Sequence, residues 1–186
     1  MNVYDFDNTV FYGDSTFRFY RYCLLRHPSM LLRLPVLAFD ALFLLKKDKQ
    51  RFKQRAFGLL KRLKDPEGTV TRFWDKNIRR VKPFYLQKMR DDDVIISASP
   101  EFLIVPAVKR LGNATVMASP IDIHTAVYSG PNCHGEEKVR RYRQKYGEAP
   151  IDEFYSDSHS DDPMAAIAVK AYMVKGDDIF PWPDKD

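Results

Sequence analysis

The chain opens with MNVYDFDNTV (residues 1–10), in which a short apolar run leads directly into two carboxylates, Asp5 and Asp7. The run predicts a brief buried strand followed by a turn. A carboxylate without a counter-charge is costly to bury, so both acids require compensation from elsewhere in the chain. The stretch therefore predicts a strand that ends at a charged site.

The composition is typical of a globular protein. The chain has 186 residues, 45% of them hydrophobic and 30% charged, which is enough to bury a core as one domain or as a domain with an insertion. Cys23 and Cys133 are too few for a disulfide framework or a thiolate metal site, which favours a reducing compartment. The first fifteen residues contain acids but no basic stretch, so we expect no secretory signal and a cytoplasmic protein.

Charge is distributed unevenly along the chain. The basic segment, residues 46–64 (KKDKQRFKQRAFGLLKRLK), contains nine basic residues and one acid, Asp48. It is either a solvated helix face or a surface attracted to phosphate groups, such as anionic lipid or nucleic acid. Nucleic acid is the less favoured partner, because no nucleic-acid-binding motif accompanies the charge.

The hydrophobic pattern divides the chain into two kinds of structure. Residues 14–85 have capping side chains and apolar residues at helical spacing, including Val81 at the end of the last predicted helix. Beyond this region, short apolar strands alternate with helices, which predicts a parallel sheet covered by helices. The predicted fold class is therefore α/β, with a core of residues 1–13 and 86–186 and an all-helical insertion of residues 14–85 after the first strand.

Polar side chains occur at the ends of three predicted strands. Asp5 and Asp7 end the first strand, Ser97 ends the strand VIIS, and Asp157 follows the strand EFYS. In open α/β sheets the ligand site forms beyond the carboxyl ends of the strands, so we expect these groups to converge. Lys138, near the start of a predicted helix, can point to the same edge. A hard cation and this lysine would then neutralise the acids.

Such a set of oxygen ligands indicates phosphate chemistry. Carboxylates without a matching set of His or Cys favour Mg²⁺, which offsets negative charge during phosphoryl transfer. One carboxylate near the ion can act as nucleophile, and a second can act as general acid and base. Of two neighbouring aspartates, one can therefore be the nucleophile and the other the general acid and base.

Four segments of the chain, in this order, resemble the four motifs of the haloacid-dehalogenase-like (HAD) phosphohydrolases. They are DFDNTV, Ser97 within VIISAS, Lys138 within GEEKV, and YSDSHSDDPM. The helical insertion after the first motif resembles the small cap of the phosphoserine-phosphatase-like branch. The resemblance implies a Rossmann-like core with a helical cap, and hydrolysis of a phosphate monoester.

The resemblance also implies roles for four side chains. Asp5 would be the nucleophile that forms an aspartyl-phosphate, and Asp7 would be the general acid and base. Ser97 would bind the phosphoryl oxygens, and Lys138 would offset charge on the nucleophile and the phosphate.

For the cofactor, the resemblance implies Mg²⁺ held by Asp5, the backbone carbonyl of Asp7 and Asp157, with Asp161 in a supporting position. The chain departs from the family pattern at Asn8, where the family often has glycine.

The apolar segment at residues 30–45 (MLLRLPVLAFDALFLL) does not decide whether the protein acts at a membrane, so the substrate class stays open. Arg33, Pro35 and Asp40 interrupt it, which disfavours a membrane-spanning helix. It is either the buried core of the cap or an interfacial segment lying on an anionic membrane.

A further resemblance bears on the same question. RYCLLRHPSMLLRLPVL, NCHGEEKV and YSDSHSDDPM are similar to stretches of the phosphatidylglycerophosphatase C branch of the family. That similarity implies a lipid phosphate monoester as substrate and a peripheral position at the inner membrane surface. The substrate therefore stays open between a soluble phosphomonoester, phosphoserine-like or sugar-like, and a lipid phosphate. The alternative to an enzyme is a non-catalytic HAD-fold module that binds lipid or RNA. The sequence does not predict an oligomeric state.

Overall fold

A six-stranded sheet forms the centre of the computed structural model, which describes residues 1–33 and 54–183. The strand order is β3-β2-β1-β4-β5-β6, and all neighbouring pairs are parallel except β5 and β6. The predicted α/β fold with a Rossmann-like parallel sheet is therefore confirmed. The strands are β1 (Val3–Tyr4), β2 (Val94–Pro100), β3 (Thr115–Ser119), β4 (Ile151–Ser156), β5 (Ala168–Lys175) and β6 (Asp178–Pro181).

The order of the strands defines where a ligand site can form. After β1 the chain adds β2 and β3 on one side, then returns to add β4 and β5 on the other side. The carboxyl end of β1 is therefore the topological switch point, where a crevice opens between diverging connections.

Helices cover the sheet and form the described part of the insertion. The α-helices are α1 (Ser15–Arg26), α2 (Pro66–Asn77), α3 (Pro83–Lys88), α4 (Glu101–Val108), α5 (Glu136–Tyr146) and α6 (Asp162–Ala165). Short 3₁₀ segments span Pro28–Arg33, Gly58–Arg62, Ile78–Arg80 and His159–Asp161. The Asp14 side chain caps α1 by accepting a hydrogen bond from the Phe17 amide, as its position before the helix predicts.

The insertion lies between β1 and β2, and its described residues are mainly helical. Its last residues differ from the sequence prediction, because Val81 is extended and forms an antiparallel bridge with Phe11. The following Lys82 precedes Pro83, and a residue before proline is disfavoured in a helix. The division into a core of 1–13 and 86–186 and a cap of 14–85 stays a prediction.

Two features of the insertion fall partly outside the described residues. The apolar segment of residues 30–45 is described only as far as residue 33, and the basic segment of residues 46–64 only from residue 54. Within the described ranges, no helix has both the length and the apolar character needed to cross a membrane.

An aromatic cluster joins the insertion to the core. Trp74 of α2 is fully buried and packs edge-on against Phe6 and Phe11, with ring centroids 5.9 and 5.3 Å apart. Its indole N–H donates to the Leu103 carbonyl at 2.8 Å. Phe6 and Phe11 flank Asp7 in sequence, so the packing of α2 also supports the loop that carries the acids.

We predict that Trp74→Ala lowers the free energy of unfolding by about 3–5 kcal/mol, because it leaves a large cavity and removes the hydrogen bond to the Leu103 carbonyl. Urea denaturation followed by circular dichroism measures the change. Leu25→Ala is the control, because Leu25 is 75% exposed and its loss should change stability by no more than about 0.5 kcal/mol. A loss below about 1 kcal/mol for Trp74→Ala would show that the cluster does not hold the two parts together.

Candidate active site

One cavity of about 420 Å³ opens at the carboxyl end of β1. Asp5 follows β1 directly and Asp157 follows β4, as the sequence predicts, whereas Ser97 lies within β2, which continues irregularly to Pro100. All six residues predicted for the site line this cavity: Asp5, Asp7, Ser97, Lys138, Asp157 and Asp161. The structure therefore brings together the side chains that the motifs single out.

A buried lysine lies between two of the carboxylates. Lys138 Nζ is 2.7 Å from Asp5 Oδ1 and 2.7 Å from Asp161 Oδ2, and only 2% of the lysine is exposed. The Ser156 hydroxyl also donates to Asp161 Oδ2, at 2.7 Å. Lys138 lies in the first turn of α5, and the helix starts after Gly135, whose φ of 58° suits glycine.

The electrostatics of this group reflect burial and mutual compensation. Burial raises the pKa of Asp5 to about 7, although the charge of Lys138 opposes this shift. For Lys138, burial favours the neutral amine, but the charges of Asp5 and Asp161 outweigh it and raise the lysine pKa above its usual value. Lys138 is therefore a permanent cation in the cavity.

Asp7 is held by hydrogen bonds from two directions. Its Oδ1 accepts from the Ser15 amide at the start of α1, at 2.6 Å, and its Oδ2 accepts from the Ser99 hydroxyl. The Thr16 hydroxyl lies 2.9 Å from that of Ser99. Burial raises the pKa of Asp7 to about 6, although hydrogen bonds from Ser15 and Ser99 lower it. The pKa of Asp7 is thus close to neutral pH, and the two hydrogen bonds fix the orientation of its carboxylate.

The role of Ser99 is not evident from its local sequence. A serine shortly before a helix suggests an N-cap, but α4 begins after Pro100 and has no side-chain cap. The Ser99 amide instead donates to Ser97 Oγ at 3.1 Å, and its hydroxyl donates to Asp7. The available signal is the two-residue spacing from Ser97, because residues two apart share a face of an extended strand.

The cavity contains more negative than positive charge. Lys138 is the sole lysine or arginine among the described residues that line it, and the lining also includes five aspartates. Burial raises the pKa of Asp157 as well, and the buried Oδ1 of Asp161 has no hydrogen-bond partner in the described part of the chain. The lining aspartates are Asp5, Asp7, Asp14, Asp157 and Asp161.

This excess of carboxylate oxygens fits a divalent cation. Among residues 1–33 and 54–183, no three His, Cys, Asp or Glu side chains form a ready-made metal cluster. The predicted Mg²⁺ set does not require one, since it uses the side chains of Asp5 and Asp157 and the backbone carbonyl of Asp7. All three residues line the same cavity, and their donors are the oxygens that Mg²⁺ prefers.

The insertion contributes aromatic rings to one wall of the cavity. Phe17, Tyr20 and Phe57 line the cavity, and the rings of Tyr20 and Phe57 lie 5.7 Å apart. Phe17 is 67% exposed, so its ring is open to the cavity and to solvent. The cavity therefore combines a charged floor with an aromatic wall.

We predict that Lys138→Met lowers the free energy of unfolding by about 3–5 kcal/mol at neutral pH, because two buried carboxylates lose their shared cation. Without the ammonium the pKa of Asp5 rises further in the folded protein, so this carboxyl takes up a proton more readily. Part of the stability should return as the pH falls from about 8 to about 5. Urea denaturation at both pH values measures this.

Lys145→Met is the matched control on the same helix, because Lys145 is exposed. We expect it to change stability by no more than about 0.5 kcal/mol at either pH. A loss for Lys138→Met that is equally small would show that the lysine does not compensate these acids.

Comparisons with known proteins agree with this architecture. Two solved structures share the fold: a protein with unknown function from Bordetella pertussis Tohama I and a phosphoserine phosphohydrolase-like protein from Francisella tularensis subsp. tularensis SCHU S4. The first has a TM-score of 0.69 and 17% identity, over 92% of this chain and 87% of that one. The second has a TM-score of 0.53 and 14% identity, over 92% and 86%.

At these identities the two structures show similarity of fold alone. No curated protein matches the chain at a significant level. A model of the haloacid dehalogenase-like hydrolase family, however, matches residues 3–166, which is most of the sequence. The chain therefore belongs to the haloacid dehalogenase-like hydrolase family.

Proposed function

We propose that this hydrolase is a Mg²⁺-dependent phosphatase that cleaves a phosphate monoester through an aspartyl-phosphate. The observation that carries the proposal is the grouping of Asp5, Asp7 and Lys138 around one cavity at the end of β1. Asp5 Oδ1 is bound to Lys138, and its Oδ2 accepts no hydrogen bond from a described residue. That oxygen can act as a nucleophile.

The proposed reaction has two steps. In the first, a carboxylate oxygen of Asp5 attacks phosphorus, the bond from phosphorus to the leaving oxygen breaks, and Asp7 donates a proton to that oxygen. In the second, water attacks the phosphorus of the aspartyl-phosphate and Asp7 accepts its proton. The bond from phosphorus to the Asp5 oxygen breaks, which releases inorganic phosphate and restores the Asp5 carboxylate. A pKa of about 6 suits Asp7 to both transfers, because its two protonation states then lie close in free energy near neutral pH.

Two neighbouring groups would stabilise the charge that moves in this reaction. Lys138 remains cationic and lies against Asp5, where it offsets charge on the nucleophile and on the incoming phosphate. The buried Ser97 hydroxyl accepts a hydrogen bond from the Ser99 amide, so its own proton is available for a phosphoryl oxygen.

Asp5, Asp157 and the backbone carbonyl of Asp7 would hold the Mg²⁺. When bound, the ion would supply positive charge for the phosphoryl oxygens. Asp161 would support the site through Lys138, to which it is paired. The surplus of acids over basic residues in the described lining supports this assignment.

The aromatic wall supports a leaving group that is apolar or aromatic. Phe17, Tyr20 and Phe57 offer ring surface opposite the acids. Lys138 is already paired to Asp5 and Asp161, so the described lining offers no uncommitted lysine or arginine for a carboxylate on the leaving group, such as that of phosphoserine. Aryl phosphates and lipid phosphates share this chemistry, the latter at a membrane surface.

We predict that Asp5→Asn lowers phosphate release from an aryl phosphate by about 10³-fold or more, because the nucleophile is lost. The assay compares the wild type and the variant with Mg²⁺ and then with EDTA, which should stop the wild-type reaction. Asp91→Asn, a change at an exposed residue, is the control and should retain wild-type rates. A wild-type protein without Mg²⁺-dependent turnover would favour a non-catalytic binding scaffold instead.

We predict that Phe17→Ala lowers kcat/KM for naphthyl phosphate by about tenfold, because a buried aromatic contact contributes about 1.5–3 kcal/mol. The value for phosphoserine should change far less, since its leaving group has no apolar surface. A substrate panel of naphthyl phosphate, phosphoserine and a vesicle-bound lipid phosphate measures this preference. Equal losses for all three substrates would contradict an apolar leaving-group pocket.

A further inference from the structure

A second buried lysine lies just outside the described lining of the cavity. Lys82 is 1% exposed, and its Nζ donates to the backbone carbonyls of Asn8 and Gly176, each at 2.5 Å. The ammonium lies 5.3 Å from the centre of the Tyr12 ring. It forms no ion pair with a carboxylate in the described ranges. Its direct partners are the two carbonyls and the ring, and the charges of Asp177 and Asp157 also favour the cation.

The first of these carbonyls belongs to a residue with an unusual backbone. Asn8 has a φ of 58°, a left-handed conformation that is uncommon outside glycine. It follows Asp7, and its own amide donates to the Gly13 carbonyl at 3.2 Å. The peptide between residues 7 and 8 contains the Asp7 carbonyl, the proposed metal ligand. The Asn8 carbonyl is in the next peptide along the chain, so a group that holds it limits how far the peptide with the Asp7 carbonyl can turn.

The side chain of Asn8 contacts Asp157, the acid that follows β4. Asn8 and Asp157 line the same cavity. Burial raises the pKa of Asp157, and hydrogen bonding from the Asn8 side chain opposes this shift. Asn8 thus lies between Lys82 and the proposed ligand Asp157, at a position where the family often has glycine.

Lys82 also marks the place where the insertion returns to the core. Its amide donates to the Val10 carbonyl at 2.8 Å, next to the bridge between Phe11 and Val81. Gly176, its second carbonyl partner, lies in the turn between β5 and β6. One side chain thus connects the acidic loop, the end of the insertion and a turn of the sheet.

We propose that Lys82 is a positioning residue for the metal site, because its ammonium holds the Asn8 carbonyl and so fixes the backbone that presents the Asp7 carbonyl. This inference rests on the proposed Mg²⁺-dependent function. It extends that function to a residue outside the four motifs and at the junction with the insertion.

The test is direct Mg²⁺ binding to the protein without substrate, measured by isothermal titration calorimetry. Lys82→Met should weaken Mg²⁺ binding by about tenfold or more, the usual effect of removing a group that orients a metal ligand. Lys88→Met is the matched control, because Lys88 also lies 5.3 Å from a tyrosine ring but contacts Glu153 and Tyr155 instead of the acidic loop. It should bind Mg²⁺ as the wild type does.

Two further variants keep the test decisive if Lys82→Met does not fold. Lys82→Arg retains N–H donors for both carbonyls and should bind Mg²⁺ within about threefold of the wild type. Lys82→Gln retains fewer donors on a shorter side chain, and its Mg²⁺ affinity should lie between those of the arginine and methionine variants. The turnover of the weakened variants should recover at saturating Mg²⁺.

The outcomes separate this inference from the proposed function. Asp157→Asn should abolish Mg²⁺ binding if the site is assigned correctly. The role of Lys82 alone would be overturned if the wild type binds Mg²⁺, Asp157→Asn does not, and the folded Lys82 variants bind Mg²⁺ with unchanged affinity. A wild type that neither binds Mg²⁺ nor releases phosphate would overturn both.

Discussion

The pairing of Lys138 with Asp5 and Asp161 is the interaction on which the site depends. The lysine is separated from Asp5 by 133 positions in the chain and from Asp161 by 23, so the group forms only when β1, β4 and α5 are in place. Burial alone would make each charged group unfavourable. Together they place a fixed cation beside the first carboxylate, and this explains how a buried strand can end in aspartate.

The acidic loop is also the junction between the sheet and the insertion. Asp7 accepts a hydrogen bond from the Ser15 amide at the beginning of α1, where the helix dipole favours an anion. The other end of the insertion returns beside the same loop, through the bridge between Phe11 and Val81. A shift of the insertion relative to the sheet would therefore change the contacts of Asp7 as well as the shape of the cavity.

The two sides of the cavity come from different parts of the chain and have different chemistry. The segments after β1 and β4 supply acids and α5 supplies Lys138, and these groups suit phosphate and a divalent ion. Phe17 and Phe57 of the insertion supply apolar surface. A phosphate monoester has the same two halves, a charged phosphoryl group and a leaving group of variable polarity. In the proposed function, residues at the end of the sheet carry out the chemistry and the insertion selects the leaving group.

The sequence by itself determined the fold class and the acidic floor of the site. An acid directly after an apolar run, as at Asp5 and Asp157, lies at the edge where parallel strands end, so residue order alone predicts that the two converge. Only the tertiary structure decided that Ser99 holds Asp7, that Lys82 holds Asn8, and that Phe17 faces the cavity instead of the core. These contacts depend on the directions of side chains from segments far apart in the chain, and hydrophobic periodicity contains no information about such distances.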